Sequence, residues 1–427
     1  MKKGINFGLL VACFLLYGLL FYSVPRTQFL VLSSVITLLF IGYFFIVKSA
    51  IDFRWSIAFR LIPLLAFPAL SDDFYRFVFD GRLVATGLNP YLILPEKFFQ
   101  SADYQSIIAD SFIYENLNSK QYFTVYPPFN QFLFGLAAWF SGKNLWLNII
   151  FLRLIIFFFE AATVFLLHHQ FGKKIARWYA FNPFIIIELS GNLHFEAVMI
   201  FFLLASLWLL KEDLIPLAAV CFGLAVSTKL LPLIFLPVII AEKRLAKGIS
   251  FAIMSGCFNL MLASFFYDSA IVQNFASSLN LYFQKFEFNA SFYYLVRAWG
   301  YATHGYNIIG KSGVWLGISA VVGIGIIACL RLLLPKKISF EESLLFTLFW
   351  YLLMATTVHP WYIATLLALG LLTRFKFVVL WSGLVFLSYH AYQTTIFSEQ
   401  PIIVTAEYLL LGSYLIYEIF WQKKELI

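Results

Sequence analysis

The chain has 427 residues, 62% of them hydrophobic and 12% charged, with a net charge of +8. A soluble domain carries about 25% charged residues, so this composition excludes an ordinary soluble fold and makes lipid the solvent for much of the surface. The basic residues stand in short pairs between apolar runs (Lys2-Lys3, Lys173-Lys174, Lys243-Arg244, Lys336-Lys337, Lys423-Lys424), which is the pattern of cytoplasmic loops and argues against a nucleic-acid partner. Cys13, Cys221, Cys257 and Cys329 all lie in apolar runs without a CxxC pair, so they read as small core residues rather than metal ligands.

In chain order, the first apolar run continues to about Tyr22 with no small-residue cleavage site and reads as a retained span. Further candidate spans fall at about 28–47, 55–70, 126–141, 144–167, 176–190, 193–210, 214–228, 230–241, 248–267, 313–334, 339–357, 360–373, 376–391 and 402–421. A full crossing needs roughly 20 apolar residues, so the shorter runs predict broken or partial helices. The expectation is an all-α, polytopic transmembrane bundle of about 11–14 spans in one domain, 1–427, because only helices or closed barrels satisfy the backbone in lipid and these runs are too long for barrel strands. No internal repeat is evident, which weighs against an inverted-repeat transporter.

With Lys2-Lys3 in the cytoplasm, Lys48, Arg54 and Arg60 lie inside as well. Two extracytoplasmic loops follow, 71–125 and 268–312, and the His359-Pro360-Trp361 turn and residues 392–401 share their face. Placing Lys173, Lys174 and Arg177 inside leaves one crossing too many; either 126–141, which is short and opens Tyr126-Pro127-Pro128, does not fully cross, or the basic cluster breaks the rule. The 71–125 loop is the longest polar stretch, with seven acidic residues against four basic ones. Its Glu96–Tyr104 segment mixes aromatic and charged residues, which suits an interfacial amphipathic helix.

That loop opens Ser71-Asp72-Asp73-Phe74-Tyr75-Arg76 and continues through Asp80-Gly81-Arg82 to Gly87-Leu88-Asn89-Pro90-Tyr91. Two adjacent carboxylates at the rim of the hydrocarbon are costly unless paired, and close like charges raise one pKa, which suits a general base. The plain alternative is a juxtamembrane helix capped by Ser71, with Asp73 and Arg76 paired one turn apart.

This stretch resembles the first outer loop of the GT-C superfamily of glycosyltransferases, nearest to the bacterial branch that resembles polyprenyl-phosphate-mannose-dependent mannosyltransferases. The resemblance implies a GT-C-like bundle, a lipid-linked sugar donor, and an acidic residue after an early span that acts as base or organises the donor phosphate. Asp72 and Asp73 hold that position. Tyr126-Pro127-Pro128 resembles the family's turn into the next helix, Asn182-Pro183, Glu188 and Gly191–Glu196 its asparagine-proline segment and His-x-acid pair, and Lys229 with Pro232 its lysine-proline pair. Glu196 stands where relatives commonly show Asp. Phe286–Asn289 and His359–Tyr362 are also similar, so the likeness runs over most of 70–365.

Intramembrane ionisable groups are functional candidates by default, which covers Glu188, His194, Glu196 and Lys229; the structural alternative is a Glu–Lys229 pair holding helices together. Lys229, Arg76, Arg82 and Arg297 are candidate cations for a leaving phosphate, Asp80, Asn89 and Tyr126 candidate pocket residues, and Trp361 and Tyr91 candidate sugar-stacking rings beside His359. His194 and Glu196 alone fall short of a metal site, so no metal ligand or cofactor is assigned and a divalent cation is left open. The leading expectation is an inverting hexosyl transfer, in the family's terms mannosyl, from a polyprenyl-phosphate sugar to a glycan, lipid or protein hydroxyl at the outer face of a bacterial inner membrane. A flippase for a lipid-linked sugar and a non-catalytic assembly subunit are the alternatives.

Overall fold

The computed structural model describes residues 2–49, 51–108, 110–394 and 397–421; Lys423-Lys424, named above among the basic pairs, lie outside the described residues. They form an all-α bundle, with no β-strand and one isolated bridge, Phe288 to Thr357. The principal helices are α1 (Lys2–Ser23), α2 (Phe29–Lys48), α3 (Arg54–Leu61), α4 (Asp73–Ala85), α5 (Pro128–Ser141), α6 (Leu145–Leu166), α7 (Lys173–Ala180), α8 (Glu196–Lys211), α9 (Ile215–Thr228) and α10 (Leu236–Ser264). They continue with α11 (Ile271–Lys285), α12 (Phe292–His304), α13 (Ile309–Leu333), α14 (Phe340–Met354), α15 (Ile363–Gly370), α16 (Phe377–Leu384) and α17 (Pro401–Phe420).

Among the described residues six helices are long and apolar enough to cross a membrane, or seven when the bent pair Pro183–Gly191 and Glu196–Lys211 counts as one span. Three shorter apolar helices, Ile215–Thr228, Pro360–Gly370 and Phe377–Tyr392, accompany them. The long spans are fewer than the apolar runs because proline, which lacks an N–H and clashes with the preceding turn, divides the runs. The 55–70 run is such a case: α3 ends after eight residues, Pro63 opens a 3₁₀ turn over Ile62–Leu65, and Ala66 is extended. Runs 230–241 and 248–267 join into α10, which breaks at Arg244 with φ 60°.

Polar contacts sort the connections into two ends. At one end Arg177 donates to the carbonyls of Ile46, Ser49 and Ile51. Asp213 pairs there with Lys243 and Lys247, Arg331 with Glu242, and Arg374 with Glu342. At the other end Arg26 holds Asp72, Asn89 donates to Phe266 O, and Phe288 bridges to Thr357.

α5 touches this second end at both of its termini. It starts beside Tyr126, and just beyond its end Lys143 O accepts from Arg82 Nη2 at 2.8 Å, while Arg82 Nη1 holds Ile108 O. Trp146, at the start of α6, packs on Phe67, 5.8 Å between centroids. At 14 residues α5 is about 21 Å long, short of the roughly 30 Å hydrocarbon core. With both termini held at this end it lies along that end instead of crossing the bundle, and exposed Trp139 and Phe140 suit an interfacial position.

α5 crosses α4 at glycines. A Cβ on Gly81 would stand 2.4 Å from Phe134 O, and one on Gly135 would stand 2.5 Å from a Val84 methyl. Gly81→Ala is expected to push the two helices apart and lower stability by about 1–3 kcal/mol, the usual range for overpacking. A thermal melt in detergent equal to wild type would contradict this close crossing.

Deep in the bundle Arg60 donates to Glu160 at 3.0 and 3.1 Å, Tyr179 donates to the other carboxylate oxygen at 2.7 Å, and Ala180 O accepts from Arg60 at 2.6 Å. The charge pair joins α3, α6 and α7 with every partner buried, the arrangement that makes an interior ion pair tolerable.

Candidate active site

The site is built where helices are interrupted. Asn182 caps its own turn, its Oδ1 accepting from Phe184 N, and Pro183 starts the next helix. That helix widens into a π turn over Ile186–Gly191, Leu193 takes φ 64°, and α8 restarts at Glu196 with a bend of 118°. Glu188, His194 and Glu196 are thereby carried inward and buried.

Each turn of this interruption is tied down. Tyr389 donates to Glu188 Oε1 at 2.8 Å, Asn192 donates to Glu188 Oε2 at 3.3 Å, and Asn192 Oδ1 accepts from Leu70 N at 3.3 Å. From α6, Arg153 donates to Ser190 O and Gly191 O on one side and to Leu64 O and Ala66 O on the other. One guanidinium thus holds the π turn against the segment that leads into Ser71-Asp72-Asp73.

α8 runs away from this point and α9 runs back, so Lys229, directly after α9, meets Glu196 at the start of α8 as an ion pair. The same ammonium lies 4.5 Å from the centroid of the Tyr362 ring. Asp73, Phe77, Tyr126, Asn130, His194, Phe195, Glu196, Thr228, Lys229 and Trp361 line one narrow pocket of about 20 Å³. That is close to the roughly 10–15 Å³ a single water needs and far below the roughly 300–1,000 Å³ of drug-sized ligand sites, so the lining side chains have to move apart to admit a sugar.

The two aspartates part company. Asp72 turns to Arg26, Oδ2 to Nη2 at 2.6 Å, and keeps 40% of its side chain exposed. Asp73 faces the pocket, where its Oδ1 accepts from Asn118 Nδ2 at 2.9 Å. Burial raises the Asp73 carboxyl above the usual carboxylate range; the Asn118 hydrogen bond and Lys229 oppose this, and Glu196 and Asp72 add to it. Ser71 Oγ accepts from Asp73 N at 3.3 Å, close to the expected cap.

Of the sequence candidates, Asp73, Tyr126, His194, Glu196, Lys229 and Trp361 meet at the pocket, with Glu188 one layer behind, 3.7 Å from His194. The arginines go elsewhere. Arg76 pairs with Asp80 at 2.8 Å, not with Asp73, and donates to Tyr122 O at 2.8 Å; Gln131 donates to the other Asp80 oxygen. Arg82 holds Ile108 and Lys143, and Arg297 pairs with Glu287 over the Tyr294 ring. These guanidiniums fasten the segments at this end of the bundle to one another.

Asn89 caps the Tyr91 turn, and Tyr91 donates to Tyr126 O at 2.7 Å, which holds the pocket tyrosine from behind. Trp361 is stacked between His194 (3.8 Å, 18°) and His359 (4.5 Å, 7°), and His359 stacks in turn on Phe288. With both faces of its indole covered, Trp361 presents an edge to the pocket and cannot stack on a sugar, contrary to the sequence expectation. Sequence reasoning missed Arg26, Asn118, Asn130 and Thr228. They are ordinary polar residues outside the quoted motifs, although Asn130 lies two residues after the Pro127-Pro128 pair. Among the described residues no three His, Cys, Asp or Glu side chains are grouped as for a metal ion.

Carboxylates and a lysine thus meet in one pocket at one end of an all-α, multi-pass membrane bundle, and the family match below gives that bundle its class, the membrane glycosyltransferases. The family model described as alpha-(1->6)-mannopyranosyltransferase, N-terminal domain, matches residues 21–242, just over half of the chain, and the protein belongs to that family. It is accordingly a glycosyltransferase of a mannosyltransferase family, working among membrane lipids on a sugar donor and an acceptor. A search of curated proteins found no match. The matched region holds Asp72, Asp73, Glu188, His194, Glu196 and Lys229 and stops at the break in α10, before Arg297, His359 and Trp361.

Proposed function

We propose that the protein transfers a mannosyl unit, with inversion, from a polyprenyl-phosphate sugar to an acceptor hydroxyl, and that Asp73 is the base. The observation that carries this reading is the placement of Asp73 and Lys229 on one pocket, with Glu196 and His194 beside them. A carboxyl held above its usual range is a better proton acceptor near neutral pH. Asp73 takes the acceptor proton, the acceptor oxygen bonds to the anomeric carbon, and the bond from that carbon to the phosphate oxygen breaks with its electron pair leaving on phosphate. Lys229 meets that charge, while Glu196 and the Tyr362 ring hold the ammonium in place. A single displacement of this kind inverts the anomeric centre. Tyr126, Asn130 and His194 supply the remaining polar edges for the sugar.

The pocket lies at the end opposite the turns that carry Lys48, Arg177, Lys243, Lys247 and Arg374. The positive-inside bias then puts it on the outer, periplasmic face of a bacterial inner membrane. Within the single domain 1–427, loop 71–125 supplies Asp73 to the pocket and Phe288 of loop 268–312 backs His359 behind Trp361. The acceptor is a glycan, lipid or protein hydroxyl.

Protein purified in detergent and given polyprenyl-phosphate mannose with membrane extract is expected to consume the donor and to form a glycosidic bond of the opposite anomeric configuration, read by NMR. Intact donor after incubation, the behaviour of a flippase without a bilayer, would refute the reading. A retained configuration would refute the single displacement.

A further inference from the structure

The arginines expected to meet a donor phosphate are all engaged with protein carbonyls or carboxylates: Arg76 and Arg82 are 3% and 2% exposed, and Arg297 is tied to Glu287. Arg26, in the connection between α1 and α2, behaves differently. Its side chain is 27% exposed, and its one hydrogen bond, Nη2 to Asp72, leaves the other guanidinium nitrogens without a protein partner among the described residues. Its plane is set by the Tyr392 ring, 4.8 Å below, and Tyr392 packs on Phe397, Tyr389 and Phe288, the last of which ends the stack that backs Trp361. Asp72 is the chain neighbour of the pocket residue Asp73, with about 3.8 Å between their Cα atoms, so an oriented, half-satisfied guanidinium is held one residue away from the pocket lining. An exposed pair of this kind adds little stability, which leaves its position unexplained by folding alone.

The geometry points to Arg26 as a ligand of the donor phosphate, shared with Asp72 in the empty protein and turned to the phosphate when the donor arrives. This rests on the polyprenyl-phosphate reading above. A guanidinium suits the task because its fork matches two phosphate oxygens at once. The charge on the phosphate also rises during the reaction: the donor is a diester with one negative charge, and the released polyprenyl phosphate is a monoester approaching two. An arginine in this place therefore binds the departing group more strongly than the ground state, as transition-state stabilisation requires. Asp72 holds the guanidinium in the empty protein and competes with the phosphate for it, while the Tyr392 ring keeps its plane.

The test compares binding of polyprenyl phosphate and of the uncharged polyprenol of equal length to detergent-purified protein. Wild type is expected to prefer the phosphate. Arg26→Gln is expected to reduce that preference by about 10-fold or more, the size of a charge-assisted pair, without changing polyprenol binding, and Arg26→Lys to restore part of it. Asp72→Asn, which frees Arg26 from its competitor, is expected to bind the phosphate at least as tightly as wild type. Preference retained in Arg26→Gln, or lost in Asp72→Asn, overturns the assignment of Arg26 while leaving the donor reading in place. A wild type that does not distinguish phosphate from alcohol overturns the donor reading and this inference with it.

Discussion

Asp73→Asn is expected to lower mannosyl transfer by about 10²–10⁴-fold, the contribution of a positioned general base, with donor binding nearly unchanged. Asparagine keeps the shape and an oxygen for Asn118 but cannot accept the acceptor's proton. The same substitution at Asp72 is expected to be far milder, because that carboxylate points to Arg26 and not into the pocket. Transfer at wild-type rate by Asp73→Asn, measured with saturating donor, would remove Asp73 from the mechanism. The pH profile offers a second check. Only ionised Asp73 accepts a proton, so activity should rise with pH through a limb above the ordinary carboxylate range, and Asp73→Asn should lose that limb. Stability runs the opposite way: a carboxyl whose folded pKa is raised adds stability below its unfolded pKa and loses it as pH climbs through the folded value. The site is thus most active where Asp73 contributes least to holding the fold.

Arg153→Met is expected to be the most damaging change outside the pocket. Methionine replaces the stem but leaves the carbonyls of Leu64, Ala66, Ser190 and Gly191 without their shared donor. Each buried carbonyl left unpaired costs about 1–3 kcal/mol, and Ala66, Ser190 and Gly191 are buried with Arg153 itself. A loss of about 4 kcal/mol or more is expected, seen as a lowered melting temperature in detergent together with lost transfer, since the same guanidinium aligns the segment before Asp72 with the turn that carries Glu188 and His194. Arg153→Lys, with a compact ammonium in place of a planar fork, should recover only part of the stability. A wild-type melt for Arg153→Met would show that the carbonyls find other donors and that the clamp is not what joins the two segments.

The bundle class was legible from composition, because 62% hydrophobic residues against 12% charged leave no soluble alternative. The number of full-length spans was not, because hydropathy registers an apolar run without showing where a proline divides it, as at Pro63, or where a run lies along the rim, as α5 does. In the site, Asp72 and Asp73 could be found as a pair but not told apart: the distinction lies in Arg26 and Asn118, each more than 40 residues away along the chain. Glu196 and Lys229 are 33 apart, and their pairing follows once two short apolar helices are read as a hairpin. Arg76 and Arg82 looked like phosphate ligands because charge is visible in sequence while its partners are not. Backbone carbonyls, which satisfy most of these arginines, leave no trace in residue identity.

The α8–α9 hairpin has a mechanical consequence. Both its free ends reach the pocket, and its far turn is pinned where Asp213 meets Lys243 and Lys247. Glu196 and Lys229 therefore form the fixed jaw of a caliper, set by a closed loop of chain. Whatever separates the jaws to admit a sugar has to move the α4 side, carrying Asp73 toward or away from an ammonium that stays where it is.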